Sequence, residues 1–542
     1  MALVLAVLLA GCSSESYRKA ADEEALAILH EKQEEVFGET RPFTVEPPPE
    51  DPARVALLEA LAQARTDAEP APVPLQLDLA RSLEVAGLLG REFQNQKETL
   101  FVSALSLSNA RWEFDWHPTL SGTVGIAGNR RDADVSTSAS LTLDRALATG
   151  ASILGRLLGS LSRSITSGVP WDRSALLTLG LTQPLLRGFG PDIALESLTQ
   201  AERNVVYSLR SFERFRRRHV VVITADYYDL LQQLDRIDIE EANLRNLKVS
   251  FELQQALYEA GKLPKFQVDQ NEQSVLSSEA TLLRLRESLK SALDAFKITL
   301  GLPMDTELAL ARQEFADLQA RGIPELALDP VRAVELALEH RLDLKISQDR
   351  VEDAKRQVVI TADALRMGLD LHLDVIIPSK DDNAWQADWK TVSLGAALDW
   401  DLPIDRTRQR NAYRSAIITY ERSVRDHELL LDTVKREVRA RLRDLGQIEQ
   451  DYKIQLRRVK LAVSQVDETN EKIRAGRAIT RDLLEAQESL VSAQSALSRL
   501  LVSYKTAQLE LLRDVEILTL DPEGLKYDDR LDTDRTAADA RG

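Results

Sequence analysis

The sequence predicts a mainly α-helical protein with a smaller β portion, built from two copies of one folding unit. Three observations carry that prediction. An internal repeat runs through most of the chain, very long helical stretches show coiled-coil spacing, and alternating apolar–polar segments recur at matching places in the two copies.

Composition agrees. The chain has 542 residues, of which 44% are hydrophobic and 29% charged but only 5% aromatic. Such a balance suits long helices joined through narrow seams better than large compact cores. A formal net charge of −17 excludes a general nucleic-acid binder, whose footprint would be basic.

The chain opens with a short apolar run, Met1 to Gly11, followed by Cys12, the single cysteine. The run is too short to span a bilayer as a helix but suits a secretory leader. Leu9, Ala10, Gly11 and Cys12 resemble a bacterial lipobox, which predicts a signal peptide over 1–12 and a lipid-modified Cys12. No Lys or Arg precedes the apolar run, which leaves the start of the leader open upstream of Met1. Residues 13–75 read as a surface extension, with a short helical pattern near Ala20–Val36 and Pro-rich pieces at 47–52 and 70–74.

Two repeats follow, over 76–303 and 329–518, joined by a connector at 304–328. Each opens with a helical stretch, Leu79–Asp115 and then Val331–Gly368. Each then turns to period-two alternation, the strand signal. Four strands are expected, near 119–128, 174–184, 369–378 and 390–401. The longer insertion at 129–173 contains another alternating stretch, Ser136–Arg145, and a turn signal at Thr149 and Gly150. It reads as an extra hairpin or long loop on the extracellular side. Pro184 and Pro403 mark the strand-to-helix junctions, where no ladder N–H is needed.

Both repeats then enter a helix of about 70 residues, Pro191–Ala260 and Arg406–Ala475, roughly 100 Å long. Each meets a glycine at the hairpin tip, Gly261 or Gly476, and returns through a second helix. In the second long helix, Ile417, Tyr420, Val424, His427, Leu431, Val434 and Val438 follow 3,4 spacing, and a similar pattern continues through Leu445, Tyr452, Leu456 and Val463. From about 519 to 542 the chain is acidic and reads as a disordered tail.

Strands of this length and alternation suit a transmembrane barrel, in which every backbone group finds a partner. Four strands cannot close one, so closure requires several chains. The soluble alternative is an antiparallel sheet covered by the helices.

Taken in order, these features resemble the TolC-type outer-membrane efflux proteins over about 75–520. The most specific piece is Leu181–Gly190, with its counterpart Trp400–Ile404 and the two hairpin tips. The resemblance implies a homotrimer whose helices form a hollow α-barrel beneath a twelve-stranded transmembrane β-barrel, four strands from each chain. It also implies docking of a periplasmic adaptor protein and an inner-membrane pump or secretion ATPase, with outer-membrane lipid around the barrel. Asp482 and Glu485 align with the acidic residues that ring the periplasmic aperture, with Arg477 and Arg481 as neutralising or gate-locking partners. Asp482 also suits a helix N-terminus on local grounds alone.

Catalysis has little support. The six histidines are scattered without metal-ligand spacing, and Gly188 to Gly190 is no phosphate loop. No cofactor, metal or enzymatic activity is expected. The basic run Arg214–Arg218 reads as a solvated helix face, with lipid head groups as the other possible contact. The expected function is an outer-membrane channel subunit, a passive conduit for a tripartite efflux or type I secretion system. The competing class is a lipid-anchored periplasmic coiled-coil scaffold or adaptor without a pore. The cargo is left open.

Overall fold

The structure, a computed structural model, describes residues 13–45, 52–65, 73–128, 133–165, 170–324, 328–380, 383–475, 477–520 and 525. The leader with Cys12, the tip Gly476 and most of the acidic tail lie outside the described residues. In chain order the elements begin with α1 (Ser14–Phe37), α2 (Pro52–Gln63), β1 (Leu75–Leu77), α3 (Leu79–Leu89) and α4 (Arg91–Trp112). Four strands follow, β2 (His117–Gly128), β3 (Ala133–Ala146), β4 (Ser152–Ser164) and β5 (Asp172–Pro184). The first helical hairpin comprises a short α5 (Pro191–Ala194), α6 (Glu196–Glu259) and α7 (Lys265–Leu300). Then come β6 (Leu308–Leu310), α8 (Arg312–Arg321), α9 (Pro330–His340), α10 (Leu342–Asp363), β7 (Gly368–Lys380), β8 (Asn383–Ala387) and β9 (Ser393–Asp401). The chain's second hairpin is α11 (Thr407–Arg474) with α12 (Thr480–Asp514).

The helical expectations hold for type and length. The long helices have 64 and 68 residues, about 96 and 102 Å at the α-helical rise. Each opening helix, expected as one piece, is instead two, broken at Gly90 and at Arg341. At Gly90 the break lies beside a close backbone approach, because the Leu89 carbonyl meets Gly301. At Arg341 the buried guanidinium is drawn to Asp343 (2.8 Å) and Glu437 (3.0 Å).

The chain divides into two compact units. The first contains Met1–Thr40, Thr99–Leu209 and Lys345–Leu429. Within it lies the large sheet, with α10 held along the start of α6 by Arg203–Asp353 (3.0 Å), Arg356–Glu196 (3.0 Å) and Tyr207 donating to Asp353 (2.6 Å). The second contains Arg41–Glu98, Arg210–Leu344 and Leu430–Gly542. Its main core gathers α2, β1, α3, the middle of α6, the end of α7 and α8, with Tyr227, Phe296, Leu57 and Leu77 fully buried. A parallel two-stranded pairing, Leu75 opposite Leu308 through Leu77 opposite Leu310, ties this core together.

Several expectations are corrected. The described residues of 13–75 are not a surface extension, while 46–51 and 66–72, with most of the Pro-rich pieces, lie outside the described residues. Ala25, Ile28 and Leu29 form one buried face of α1, Phe43 stacks edge-on to Phe212 at 6.2 Å, and Leu57 and Leu61 enter the main core. Their i, i+3, i+4 spacing gives α1 an apolar stripe that cannot stay in water. At the other end Leu520 and Leu525, the described residues beyond 519, pack into the same core rather than belonging to a disordered tail.

The coiled-coil seam of α11 also differs in its second half. Gln455, Ala462 and Thr469 are buried where Leu456 and Val463 were expected, and those two are exposed. A strict 3,4 count from Leu445 through Ile448 and Tyr452 reaches 455, 462 and 469, and helix geometry follows the count over hydrophobicity.

The basic run Arg214–Arg218 is no solvated face either. Glu213 and Arg216 are both buried, and Arg216, Arg217 and Arg41 lie 2.9, 3.3 and 3.1 Å from the Glu213 carboxylate. Arg214 and Arg217 both reach the buried Glu516. Buried guanidiniums require such partners.

One residue of this unit gives a pH prediction. His219 lies buried against Phe93 and Phe215, with ring centroids 6.1 and 5.2 Å away. Burial pushes its pKa down to about 4, so the imidazole is neutral. The unfolded chain takes up this proton near pH 6.5, so stability falls as pH drops from 6.5 to 4. The loss should be about 3 kcal/mol. His219→Phe should remove that part of the pH dependence in an unfolding series.

Candidate channel wall and aperture

The functional surface begins with the large sheet. Its order is β2-β3-β4-β5-β7, with β9 on the far side of β7 and short β8 near the tip of β7, all antiparallel. The expected strands at 119–128, 174–184, 369–378 and 390–401 are present. The expected count of four is corrected to six long strands, because the 129–173 insertion forms β3 and β4 inside the sheet. Its turn at Thr149 and Gly150 lies at the helix end of the sheet. There the Gly190 N–H donates to the Thr149 carbonyl (3.1 Å). A Cβ on Gly150 would meet the Gly188 carbonyl at 2.3 Å, so this turn fits closely against the β5-to-α5 junction.

Period-two geometry gives the sheet two unlike faces. Register sets Leu120 opposite Leu141, Leu141 opposite Leu157, Leu157 opposite Leu177, Leu177 opposite Ile377 and Leu371 opposite Leu398, so one face is apolar across all six strands. The other carries Ser121, Ser140, Ser160, Thr178, Asp374 and Asp399, interspersed with Leu154, Leu158, Leu176 and Ile376. Hydroxyls pair across strands on this side, Ser121 with Ser140 at 2.7 Å and Ser160 with Ser174 at 2.6 Å. His372 lies 3.2 Å from Asp399.

The apolar face is open. Val124, Ile126 and Leu394 are each about three-quarters exposed. A hollow of about 630 Å³ on this side is bordered by Trp116, Leu143, Ile153, Leu181, Leu373 and Leu394. It lacks the convergent polar groups of a small-molecule site.

All six tryptophans lie at the sheet's two ends. Trp112, Trp116 and Trp400 are at the helix end, and Trp171, Trp385 and Trp389 are at the turn end. Arg145 lies over Trp116 and Arg163 over Trp171. Two aromatic belts flanking an apolar band are the arrangement that membrane–water interfaces favour. Sequence reading passed over these tryptophans, because their meaning depends on the strand ends.

The junction residues take different places. Pro184 is the last residue of β5, opposite Asp370, whereas Pro403 lies two residues beyond β9. Past Pro184, the Gly188 N–H donates to Asp363 (2.7 Å), and Arg187 pairs with Asp401 (3.1 Å). These contacts tie the exit of β5 to the end of α10 and to β9.

At the hairpin tips, Gly261 has φ +69°, and the Lys262 N–H donates to the Leu257 carbonyl (2.8 Å). The Arg477 N–H makes the matching bond to Lys472 (2.8 Å). At the first tip this bond closes the helix end through the left-handed Gly261. Arg477, Arg481, Asp482 and Glu485 are all exposed. The Asp482 carboxylate accepts from the Ile479 N–H (3.1 Å), capping α12. Thr480 donates to Gln267 (3.1 Å), joining the two hairpins near their tips.

Comparison with known proteins agrees with this architecture. A family described as outer membrane efflux protein matches residues 113–302. Alkaline protease secretion protein AprF of Pseudomonas aeruginosa is 26% identical over 348 residues, covering 62% of this chain and 69% of AprF. Among solved structures, the outer membrane protein VceC of Vibrio cholerae has a TM-score of 0.60 at 18% identity, covering 81% of this chain and 95% of VceC. The MtrE outer membrane channel of Neisseria gonorrhoeae, in its open state, has 0.59 at 13% identity, covering 83% of this chain and 90% of MtrE. The matched segment and the related sequence make this chain similar to outer membrane efflux proteins, and its fold is that of the TolC-like outer membrane channels.

Proposed function

We propose that this chain is the outer-membrane channel subunit of a tripartite efflux or type I secretion system, a passive conduit from periplasm to exterior. The observation that carries the reading is the two-faced sheet, apolar on one side and polar on the other, with tryptophans at both ends. In water an apolar face of that extent would have to be covered. In a bilayer it meets hydrocarbon, while the hydroxyl and carboxylate face lines the passage. A pore-free scaffold would leave the face without a solvent.

Six strands cannot close by themselves, since the smallest single-chain barrels use about eight. The free edges are β2 and β9. With six alternating strands, β9 of one copy runs antiparallel to β2 of the next, so rotation closes the wall. Exposed apolar side chains on the long hairpins, among them Val249, Leu253, Leu276, Leu283 and Leu461, supply further surface for neighbouring copies. A homotrimer fits these features, with an acyl anchor on Cys12 and hairpin tips that dock a periplasmic adaptor and an inner-membrane pump or secretion ATPase. The chain itself performs no catalysis; its partners provide the energy.

At the aperture, three copies of Asp482 and Glu485 would gather carboxylates near the axis and favour cations. The test is oligomeric mass in detergent together with conductance in planar bilayers. A trimer should give channels whose cation preference falls when Asp482→Asn and Glu485→Gln are combined. A water-soluble monomer or dimer, released without detergent once Cys12 is replaced, would overturn the conduit and favour the scaffold.

A further inference from the structure

We propose that the β3–β4 hairpin is itself membrane-spanning, so that each chain supplies six wall strands and a trimer closes a barrel of eighteen. This rests on the channel reading above and departs from the twelve strands that the family resemblance implies.

The first argument is reach. β3 pairs with β2 along its whole length, from Gly128 opposite Ala133 to His117 opposite Asp144. β4 pairs with β5 from Ser152 opposite Thr182 to Ser162 opposite Asp172. The hairpin therefore runs from the turn end of the sheet to its helix end and back, at the same height as the other strands. At 13 or 14 residues, its strands are about 43 Å long, or roughly 33 Å high at a barrel-like tilt of about 40°. That height suffices to cross the hydrocarbon.

The second argument is patterning. Leu141, Leu143, Leu157 and Leu161 fall on the apolar face by register, while Ser138 and Ser160 fall on the polar one. An external hairpin in water on both sides would need no such division, whereas a barrel wall does. The third is position. β3 and β4 lie between β2 and β5, so the sheet is continuous only through them. Removing them from the membrane would break two backbone ladders in a medium with no water to replace them.

Barrel diameter grows about linearly with strand number, so eighteen strands give a lumen about 1.5 times as wide as twelve. On the inner face β3 places serine, threonine and aspartate, and β4 adds Leu154, Arg156 and Leu158 among its serines, so the lining refills only part of that width. The exit thus suits a cargo of large polar cross-section, such as a polypeptide chain, rather than requiring a single small solute.

The test is nitroxide scanning in lipid vesicles. Single cysteines replace Leu141, Leu157, Ser138 and Ser160 on the inserted hairpin, and Leu179 and Thr178 on β5 as the reference. The unsubstituted chain reports the Cys12 background. Oxygen should dominate accessibility at 141, 157 and 179, and a water-soluble nickel chelate at 138, 160 and 178. Uniform nickel access on β3 and β4, with alternation intact on β5, would overturn the eighteen-strand barrel and leave the channel standing. Loss of alternation on β5 as well would overturn the channel reading itself. Averaged images of the same trimer should show a barrel about 1.5 times the twelve-stranded diameter; a twelve-stranded diameter would also overturn the proposal.

Discussion

Glu213→Ala should cost about 3–5 kcal/mol of stability, the range for breaking a buried ion pair. This carboxylate is shared by Arg41, Arg216 and Arg217. Its pKa direction shows the balance: burial pushes it up, but the three guanidiniums hold it below the usual carboxylate range. Asp343 is likewise held low, as Arg341 and Arg214 outweigh its burial. A carboxylate depressed in the folded state contributes stability above its unfolded pKa and loses it as pH falls through the folded value. These two should therefore make the second unit acid-labile below about pH 4. Glu516 has the opposite sign, because burial raises its pKa despite Arg217 and Arg214. Its protonation favours the folded state just above the ordinary carboxylate range. Urea unfolding of the wild type, Glu213→Ala and Glu213→Gln across pH checks the argument. The Gln variant should fall between the other two, and an Ala variant within about 0.5 kcal/mol of wild type, the usual scatter for surface substitutions, would refute it.

Gly301→Ala should be at least as damaging, costing more than about 4 kcal/mol. Gly301 ends α7 at φ +77°, and a Cβ there would lie 2.0 Å from the Leu89 carbonyl oxygen. Neither α3 nor α7 can give way cheaply, since Leu300, Leu302 and Ala86 beside them are buried in the main core. Gly261 provides the control. Its φ is +69°, and nothing lies within 4 Å of its Cβ position, so Gly261→Ala should cost only the left-handed penalty of about 1–2 kcal/mol. Heat resistance of the detergent-extracted protein, compared for the two variants, separates close packing from backbone conformation. Equal losses would show that the Leu89 contact does not matter.

Much of this protein was legible without its fold. The duplication, the long hairpins, the glycine tips and four of the six long strands follow from periodicity, and periodicity is a local property of the chain. Asp482 could be placed near a helix start for the same reason, and it caps α12. The charge pattern of Arg214–Arg218 was visible but misleading, because the sequence does not reveal that Glu213 and Glu516 share its surroundings.

What only the tertiary structure decided is pairing. Ser136–Arg145 already alternates, yet alternation does not say which strand lies alongside or at which end a turn falls. Ladder register supplied both, placing Gly150 against Gly188 and β3 and β4 between β2 and β5. The same holds for the six tryptophans. By themselves they are scattered through nearly 300 positions, and they become two belts only when the antiparallel strands bring alternate ends together. Sequence determines which face of each element is apolar, because side-chain direction repeats every 2 or 3.6 residues. Whether those faces join into one wall depends on contacts between residues far apart in the chain, and that is a property of the fold.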